Sequence, residues 1–172
     1  AMNNRVIVFG GSGFLGSHVA DSLSDNGFDV TIFDINESPY LQESQKMVVG
    51  DILNRKQLDD AIQGNDIIYN FAGIADIEEC HKRPIDTIKY NILGNAHILE
   101  SAARNKVRNY LFASSAYVYS SSGGIYKNTK QSCELFIETY NKKFNLNYTI
   151  IRYGSLYGPR ADKNNSIYRL LN

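Results

Sequence analysis

No apolar run in the 172 residues approaches the ~18 that a membrane-spanning helix requires, and no secretory-leader pattern opens the chain. Charge of one sign is not in excess. Eighteen basic residues meet eighteen acidic ones, so nothing in the charge balance asks for nucleic acid or an acidic membrane as partner. Cysteine is scarce. Cys80 and Cys133 are too far apart for a zinc or redox motif and read as unpaired thiols of a cytoplasmic protein. His18, His81 and His97 are scattered and suggest no metal site. Internal repeats, low-complexity linkers and long charge blocks are missing too. Ala1 ahead of Met2 reads as a tag remnant. What remains is ordinary globular composition, 43% hydrophobic and 21% charged. A chain of this length buries roughly 70% of its unfolded surface as one domain.

Strand–helix alternation runs from start to finish, the pattern of a parallel sheet covered on both faces. Apolar runs predict strands over Arg5–Phe9, Asp29–Phe33, Lys46–Val49, Asp66–Phe71, Asn109–Ala113 and Tyr148–Arg152. Leu15, Val19 and Leu23 recur at helical spacing within Phe14–Asn26, and Gly27 fits a C-terminal stop. Helices are also expected over Arg55–Gln63, Ile85–Asn105 and Ile125–Phe144, with a loop through Cys80 and Pro84 before the second of these. Ser166–Leu171 reads as the start of one more. The expected fold is α/β, a doubly wound parallel sheet of order 3-2-1-4-5-6. Its ligand crevice belongs at the carboxyl ends of strands one and four, where the order reverses.

Val6-Ile7-Val8-Phe9 leads into Gly10-Gly11-Ser12-Gly13-Phe14-Leu15-Gly16: strand, tight turn, helix. Gly10, Gly13 and Gly16 stand at G-x-x-G-x-x-G spacing. The first lets the chain reverse without a Cβ clash, the second lets backbone approach a diphosphate, and the third lets helix and strand pack closely. A helix starting near Phe14 aims unpaired N–H groups, and about half a positive charge, at the same place. A glycine-rich turn without a ligand is the bland alternative. Its place after the first strand, with an acidic residue ending the second, favours dinucleotide binding.

That acidic residue is Asp34. A carboxylate there accepts from both hydroxyls of an adenosine ribose and repels a 2′-phosphate. No arginine follows in Ile35-Asn36-Glu37-Ser38, so NAD is favoured over NADP. The alternative is a helix cap or an exposed loop carboxylate. Asp51-Ile52 offers a carboxylate to the adenine amino group and an apolar side chain to its ring, unless Asp51 is the N-cap of the next helix. Phe71-Ala72-Gly73 closes strand four with small residues that let backbone approach the centre of the cofactor, although such residues are common at strand ends.

Strand five runs into Ser114-Ser115-Ala116-Tyr117, and Tyr126 and Lys130 follow. Residues four apart share a helix face, so Tyr126 and Lys130 can point into one site. With 12 tyrosines, about one Tyr-x-x-x-Lys arises by chance; its position behind a Ser-Ser strand end gives it meaning. A free tyrosine near 10 is a poor base at neutral pH, and bringing it to ~7 takes about 4 kcal/mol. A lysine charge ~5 Å away at an effective dielectric of ~20 supplies roughly 3 kcal/mol, and a positive nicotinamide would supply the rest. Ser115 would hold a reacting hydroxyl oxygen against Tyr126.

With these residues assembled, the sequence resembles the extended short-chain dehydrogenase/reductases, in the NAD-dependent sugar epimerase/dehydratase family. The resemblance covers nearly the whole chain. It rests on Gly10–Gly16, Asp34, Asp51-Ile52, Phe71-Ala72-Gly73, Asn91-Ile92-Leu93-Gly94, Ser114–Tyr119, Tyr126 with Lys130, and Arg152–Arg160. It implies a Rossmann-like fold with catalytic Ser115, Tyr126 and Lys130. It implies cofactor contacts at Phe14, Leu15, Asp34, Asp51, Ile52, Ala72, Gly73 and Asn91, to which the residue reading adds Gly10, Gly13, Gly16, Phe71, Tyr126 and Lys130. Asn91 has the alternative of a structural polar residue inside a helix.

Family dehydratases typically carry Asp-Glu after the catalytic Ser/Thr, and related decarboxylases a Glu. Here Ala116-Tyr117 stands there, with neither carboxylate, and Ser115-Ala116 resembles the 4-epimerases at this point. The resemblance therefore implies that Tyr126 takes the proton from sugar O4 while C4 passes hydride to NAD⁺, after which hydride returns to the opposite face. A 4-keto sugar reductase or dehydrogenase of the same family is the alternative, and a non-catalytic NAD-binding regulator is a third reading. Two departures stand out. The stretch from Ser115 to Tyr126 is unusually short, and the small C-terminal substrate domain of the family is expected to be essentially absent from residues 1–172. The expected partners are a nucleotide sugar and a second copy, paired through the helices Ile85–Asn105 and Ile125–Phe144.

Overall fold

Six strands pair in parallel: β1 (Arg5–Phe9), β2 (Asp29–Asp34), β3 (Lys46–Val49), β4 (Ile67–Asn70), β5 (Asn109–Ser115) and β6 (Asn147–Tyr153). A computed structural model, which describes residues 4–154, gives their order as β3-β2-β1-β4-β5-β6. That is the expected order. Central parallel strands are covered on both faces, so they read as unbroken apolar runs rather than alternating ones. Val6, Ile7, Val8 and Phe9 are accordingly all fully buried. The register sets Phe9 beside Phe33 on one side and Asn70 on the other, which brings the ends of β1, β2 and β4 level.

The helices are α1 (Phe14–Asp25), α2 (Arg55–Ile62), α3 (Ile77–Lys82), α4 (Pro84–Thr87), α5 (Gly94–Arg104) and α6 (Gly124–Phe144). One face of the sheet carries a core of Ile7, Phe9, Phe33, Leu58, Ile98, Phe112 and Ile137, to which α2, α5 and α6 contribute. Val6, Val8, Val30 and Ile32 form a second core with Ala20 of α1. Each such side chain contributes roughly 1.5–3 kcal/mol by leaving water.

Three features depart from the expected elements. The stretch read as a loop through Cys80 holds α3, started by Asp76, whose side chain accepts from Glu79 N. The helix expected over Ile85–Asn105 is continuous but interrupted by a π-helical segment, Ile88–Leu93, between α4 and α5. Beyond β5, which extends through Ser115, a 3₁₀ turn spans Ala116–Tyr119. The expected helix at Ser166–Leu171 and residues 155–160 of the last motif lie outside the described residues.

Candidate active site

The glycine turn is shaped by contact as much as by dihedral freedom. Gly10 has φ +74°, and a Cβ there would stand 2.6 Å from the carbonyl carbon and oxygen of Phe71. A Cβ on Gly16 would stand 2.3 Å from the Gly10 oxygen. Both positions must lack a side chain for the turn to pack. Gly13 differs: a Cβ there would meet only the Gly10 oxygen, at 3.4 Å. It is the N-cap of α1 and carries no side-chain cap, so the first-turn N–H groups of Phe14, Leu15 and Gly16 are not claimed by a capping side chain.

Asp34 lies at the end of β2 and joins two loops. Its Oδ2 accepts from Ser12 N at 3.1 Å, and its Oδ1 from Asn36 N at 3.1 Å. The Ser12 hydroxyl donates to the Asn36 carbonyl at 2.7 Å, tying the glycine turn to the end of β2. The carboxylate is thus aimed by two backbone donors and keeps lone pairs for further ones. It caps no helix. Neither does Asp51, whose Oδ1 accepts from Leu53 N at 2.9 Å. The N-cap of α2 is Asn54, which accepts from Gln57 N at 3.1 Å. Ile52 is buried against Gly94, where a Cβ would stand 2.4 Å from its Cδ1.

After β4 the chain turns outward through Phe71, Ala72 and Gly73, with an asparagine at each end of the turn. Asn70 Oδ1 accepts from Ala72 N at 3.0 Å. Asn91, in the π-helical segment, accepts from Ile74 N at 2.8 Å and donates to Ile74 O at 3.0 Å. Its Nδ2 also donates to Thr129 Oγ1 at 3.1 Å, and Thr129 donates to the Tyr126 carbonyl at 2.8 Å. The stretch after β4 is therefore wired to α6. Asn91 does structural work whatever else it touches.

Ser115, Tyr126 and Lys130 meet at the end of β5. Ser115 is buried, its Oγ accepts from Tyr117 N at 3.1 Å, and its hydroxyl is near enough to the Tyr126 phenol to favour the ionised form. Lys130 Nζ lies 5.6 Å from the Tyr126 ring centre and 4.9 Å from that of Phe112, and donates to the Ala113 carbonyl at 2.9 Å. Burial pushes the Tyr126 phenol above the ordinary tyrosine value, and the Ser115 hydroxyl opposes it only in part. This runs against the expected drop toward neutrality. The Lys130 ammonium is spent on a carbonyl and an aromatic face, and burial holds its own pKa down despite the nearby thiols of Cys133 and Cys80. Both cysteines are free and buried.

Side chains that the sequence reading left without a role complete the surroundings. Lys127 Nζ donates to Ser120 O at 2.7 Å and Gln131 Nε2 to Val118 O at 2.9 Å, so α6 holds the 3₁₀ turn from below. Glu134, also on α6, accepts from Ser114 Oγ at 2.6 Å and pairs with Arg152 at 2.6 Å; Arg152 in turn bonds the Tyr119 hydroxyl. Thr129 and Glu134 sit within a few residues of Tyr126 and Lys130 in the sequence. Nothing but their helical spacing marked them. A groove of about 250 Å³ opens beside the turn, lined by Ala116, Tyr117, Ser120 and Gly154.

This arrangement fits a dinucleotide on its own evidence: a close-packed turn with an open side at Gly13, an uncapped helix start, and a carboxylate aimed by two backbone donors. Residues 6–172 match the NAD dependent epimerase/dehydratase family. The chain belongs to that family. Among its relatives is a UDP-N-acetyl-alpha-D-glucosaminuronate decarboxylase of Bacillus cytotoxicus, 28% identical over 183 residues, covering 93% of this chain and 57% of the relative. A UDP-glucose 4-epimerase of Rhizobium meliloti is 27% identical over 174 residues, covering 91% of this chain and 53% of the relative. The chain thus spans little more than half the length of these relatives. The crystal structure of a UDP-glucuronic acid 4-epimerase from Bacillus cereus, in complex with UDP-glucuronic acid and NAD, superposes with a TM-score of 0.86 at 25% identity. That superposition covers 97% of this chain and 62% of the other. No helix among the described residues is long and apolar enough to cross a membrane.

Proposed function

We propose that this chain is the NAD-binding, catalytic part of a nucleotide-sugar 4-epimerase. The observation that carries the reading is the meeting of Ser115, Tyr126 and Lys130 at the end of β5, beside the crevice between β1 and β4. NAD⁺ would supply the hydride acceptor. Gly10, Gly13 and the α1 residues Phe14, Leu15 and Gly16 would hold its diphosphate, and Asp34 its adenosine ribose. Asp51 and Ile52 would face the adenine. Phe71, Ala72, Gly73 and Asn91 would border its centre, and Tyr126 and Lys130 its nicotinamide half. Ser115 and Tyr126 would grip the sugar hydroxyl, with the phenol oxygen taking and returning its proton. Ala116-Tyr117 brings no carboxylate next to Ser115, which favours epimerisation over dehydration or decarboxylation. Two of the three relatives described above are 4-epimerases, which supports this choice.

The rest of the nucleotide-sugar site belongs, in this reading, to the length of the relatives that the chain does not span. The chain would act in the cytoplasm, where its two buried thiols stay reduced. It would pair with a second copy through the helices spanning 84–104 and 124–144, on which Ile85 and Leu135 are each 64% exposed. Light scattering that finds only monomer overturns that pairing.

The deciding experiment titrates the chain with NAD⁺ and NADP⁺, as wild type and as Asp34→Ala. NAD⁺ is expected to bind at least about tenfold more tightly, with the preference lost in the variant. A folded wild type that binds neither, or prefers NADP⁺, overturns the cofactor reading.

A further inference from the structure

Three polar side chains meet in the core directly beneath the turn that follows β4. Tyr110 is the second residue of β5 and is completely buried; Asn70 ends β4 and Asn95 lies on α5, both nearly so. Asn70 Nδ2 donates to the Tyr110 hydroxyl at 2.9 Å and reaches Asn95 Oδ1 at 3.3 Å. The Tyr110 hydroxyl donates to the same Asn95 oxygen. Apolar side chains of similar size would fill this space without the desolvation cost that each buried polar group risks. The triangle is also costly as built, because Asn95 Nδ2 makes no ordinary hydrogen bond among the described residues.

What the cluster holds is the free oxygen of Asn70. That atom accepts from Ala72 N, two residues on, at the point where the chain leaves the sheet. The turn it fixes contains Phe71, whose backbone packs against Gly10, and Ala72, whose nitrogen would stand 2.8 Å from a Gly10 Cβ. An Asn70 amide free to flip would present nitrogen instead of oxygen to Ala72 N and push the turn outward. Tyr110 and Asn95 oppose the flip: the Tyr110 proton goes to Asn95 Oδ1, so both oxygens accept from the Asn70 amide nitrogen and leave its oxygen for Ala72.

We propose that Asn70, locked in one amide orientation by Tyr110 and Asn95, is a positioning residue that sets the Phe71–Gly73 turn at the height the dinucleotide requires. The inference rests on the cofactor reading above. None of the three side chains need touch the cofactor; they act through the main chain of Ala72.

The test measures NAD⁺ affinity, thermal stability and amide hydrogen exchange at Ala72 on wild type, Tyr110→Phe, Asn70→Leu and Asn70→Asp. Asn70→Leu removes the acceptor and is expected to weaken NAD⁺ binding on the order of tenfold, with Tyr110→Phe weaker in effect. Asn70→Asp keeps an oxygen for Ala72 N and is expected to recover most of the affinity, even where its melting temperature is as low as that of Asn70→Leu. Affinity that follows the acceptor rather than the melting temperature is what a merely structural cluster would not produce. Wild type and folded variants that bind NAD⁺ equally well overturn the inference and leave the cofactor reading standing. A wild type that binds no NAD⁺ sinks both. Should Asn70→Leu not fold, Ala72 exchange decides: an amide as protected in Tyr110→Phe as in wild type overturns the inference.

Discussion

Gly10 and Phe71 come so close that the two turns bounding the crevice are one packed unit: a Cβ on Gly10 would overlap the Phe71 carbonyl at 2.6 Å. Gly13, three residues along, has no such neighbour. The two glycines therefore fail differently. Gly10→Ala puts a side chain at φ +74° against immovable backbone, and is expected to cost more than ~3 kcal/mol in denaturant unfolding. Gly13→Ala keeps an ordinary extended dihedral and is expected to shift stability by about 0.5 kcal/mol. Its loss is in binding, on the order of tenfold for NAD⁺, because the new methyl stands where a diphosphate would approach. Equal losses of stability in the two variants would contradict this division.

Tyr126 is expected to titrate above the ordinary tyrosine value of 10 in the free chain, since burial dominates its environment. The difference in tyrosinate absorbance between wild type and Tyr126→Phe isolates this one phenol from the others. Adding NAD⁺ should bring its midpoint down by at least about one pH unit, equivalent to ~1.4 kcal/mol from the positive ring. A midpoint already near neutrality without cofactor would show that Lys130 alone activates the phenol.

Glu134 is held below its ordinary carboxyl value of 4.5: burial opposes this, but hydrogen bonds from Arg152 and Ser114 prevail. Between the folded and unfolded values the unfolded chain binds the extra proton, so stability rises with pH there. The contribution is complete above about 4.5 and is lost as the pH falls through the lower, folded value. Glu134→Gln should cost about 1–2 kcal/mol in a neutral thermal melt, and the gap to wild type should narrow toward pH 3. A gap independent of pH would remove the ion pair from the explanation.

The sheet was legible because its signal is local. Short apolar runs bounded by glycine and polar turns read as strands covered on both faces, and the half-exposed edge strand Lys46–Val49 is bounded in the sequence to the residue. Helix α3 has its marks in the sequence, Asp76 three residues before Glu79 and His81-Lys82 at the far end, but it is short. Six residues give too few turns for an apolar periodicity, and Pro84 directly after them reads as a break. The π-helical segment is invisible to a count based on 3.6 residues per turn. The three catalytic candidates were legible because Tyr126 and Lys130 share a helix face and Ser115 ends a strand. The Asn70–Tyr110–Asn95 cluster was not, since Asn95 and Tyr110 lie 25 and 40 residues beyond Asn70 and only the folded sheet brings them together.

Lys127, Lys130 and Gln131 each hold a main-chain carbonyl of the segment that runs from Ala113 to Ser120. Seen as machinery, the strand end, the 3₁₀ turn and the start of α6 are bolted into one block. Ser115, Tyr126 and Lys130 travel together or not at all. Any ligand reaching this end of the sheet would meet three groups whose mutual spacing is set by the block and not by the ligand.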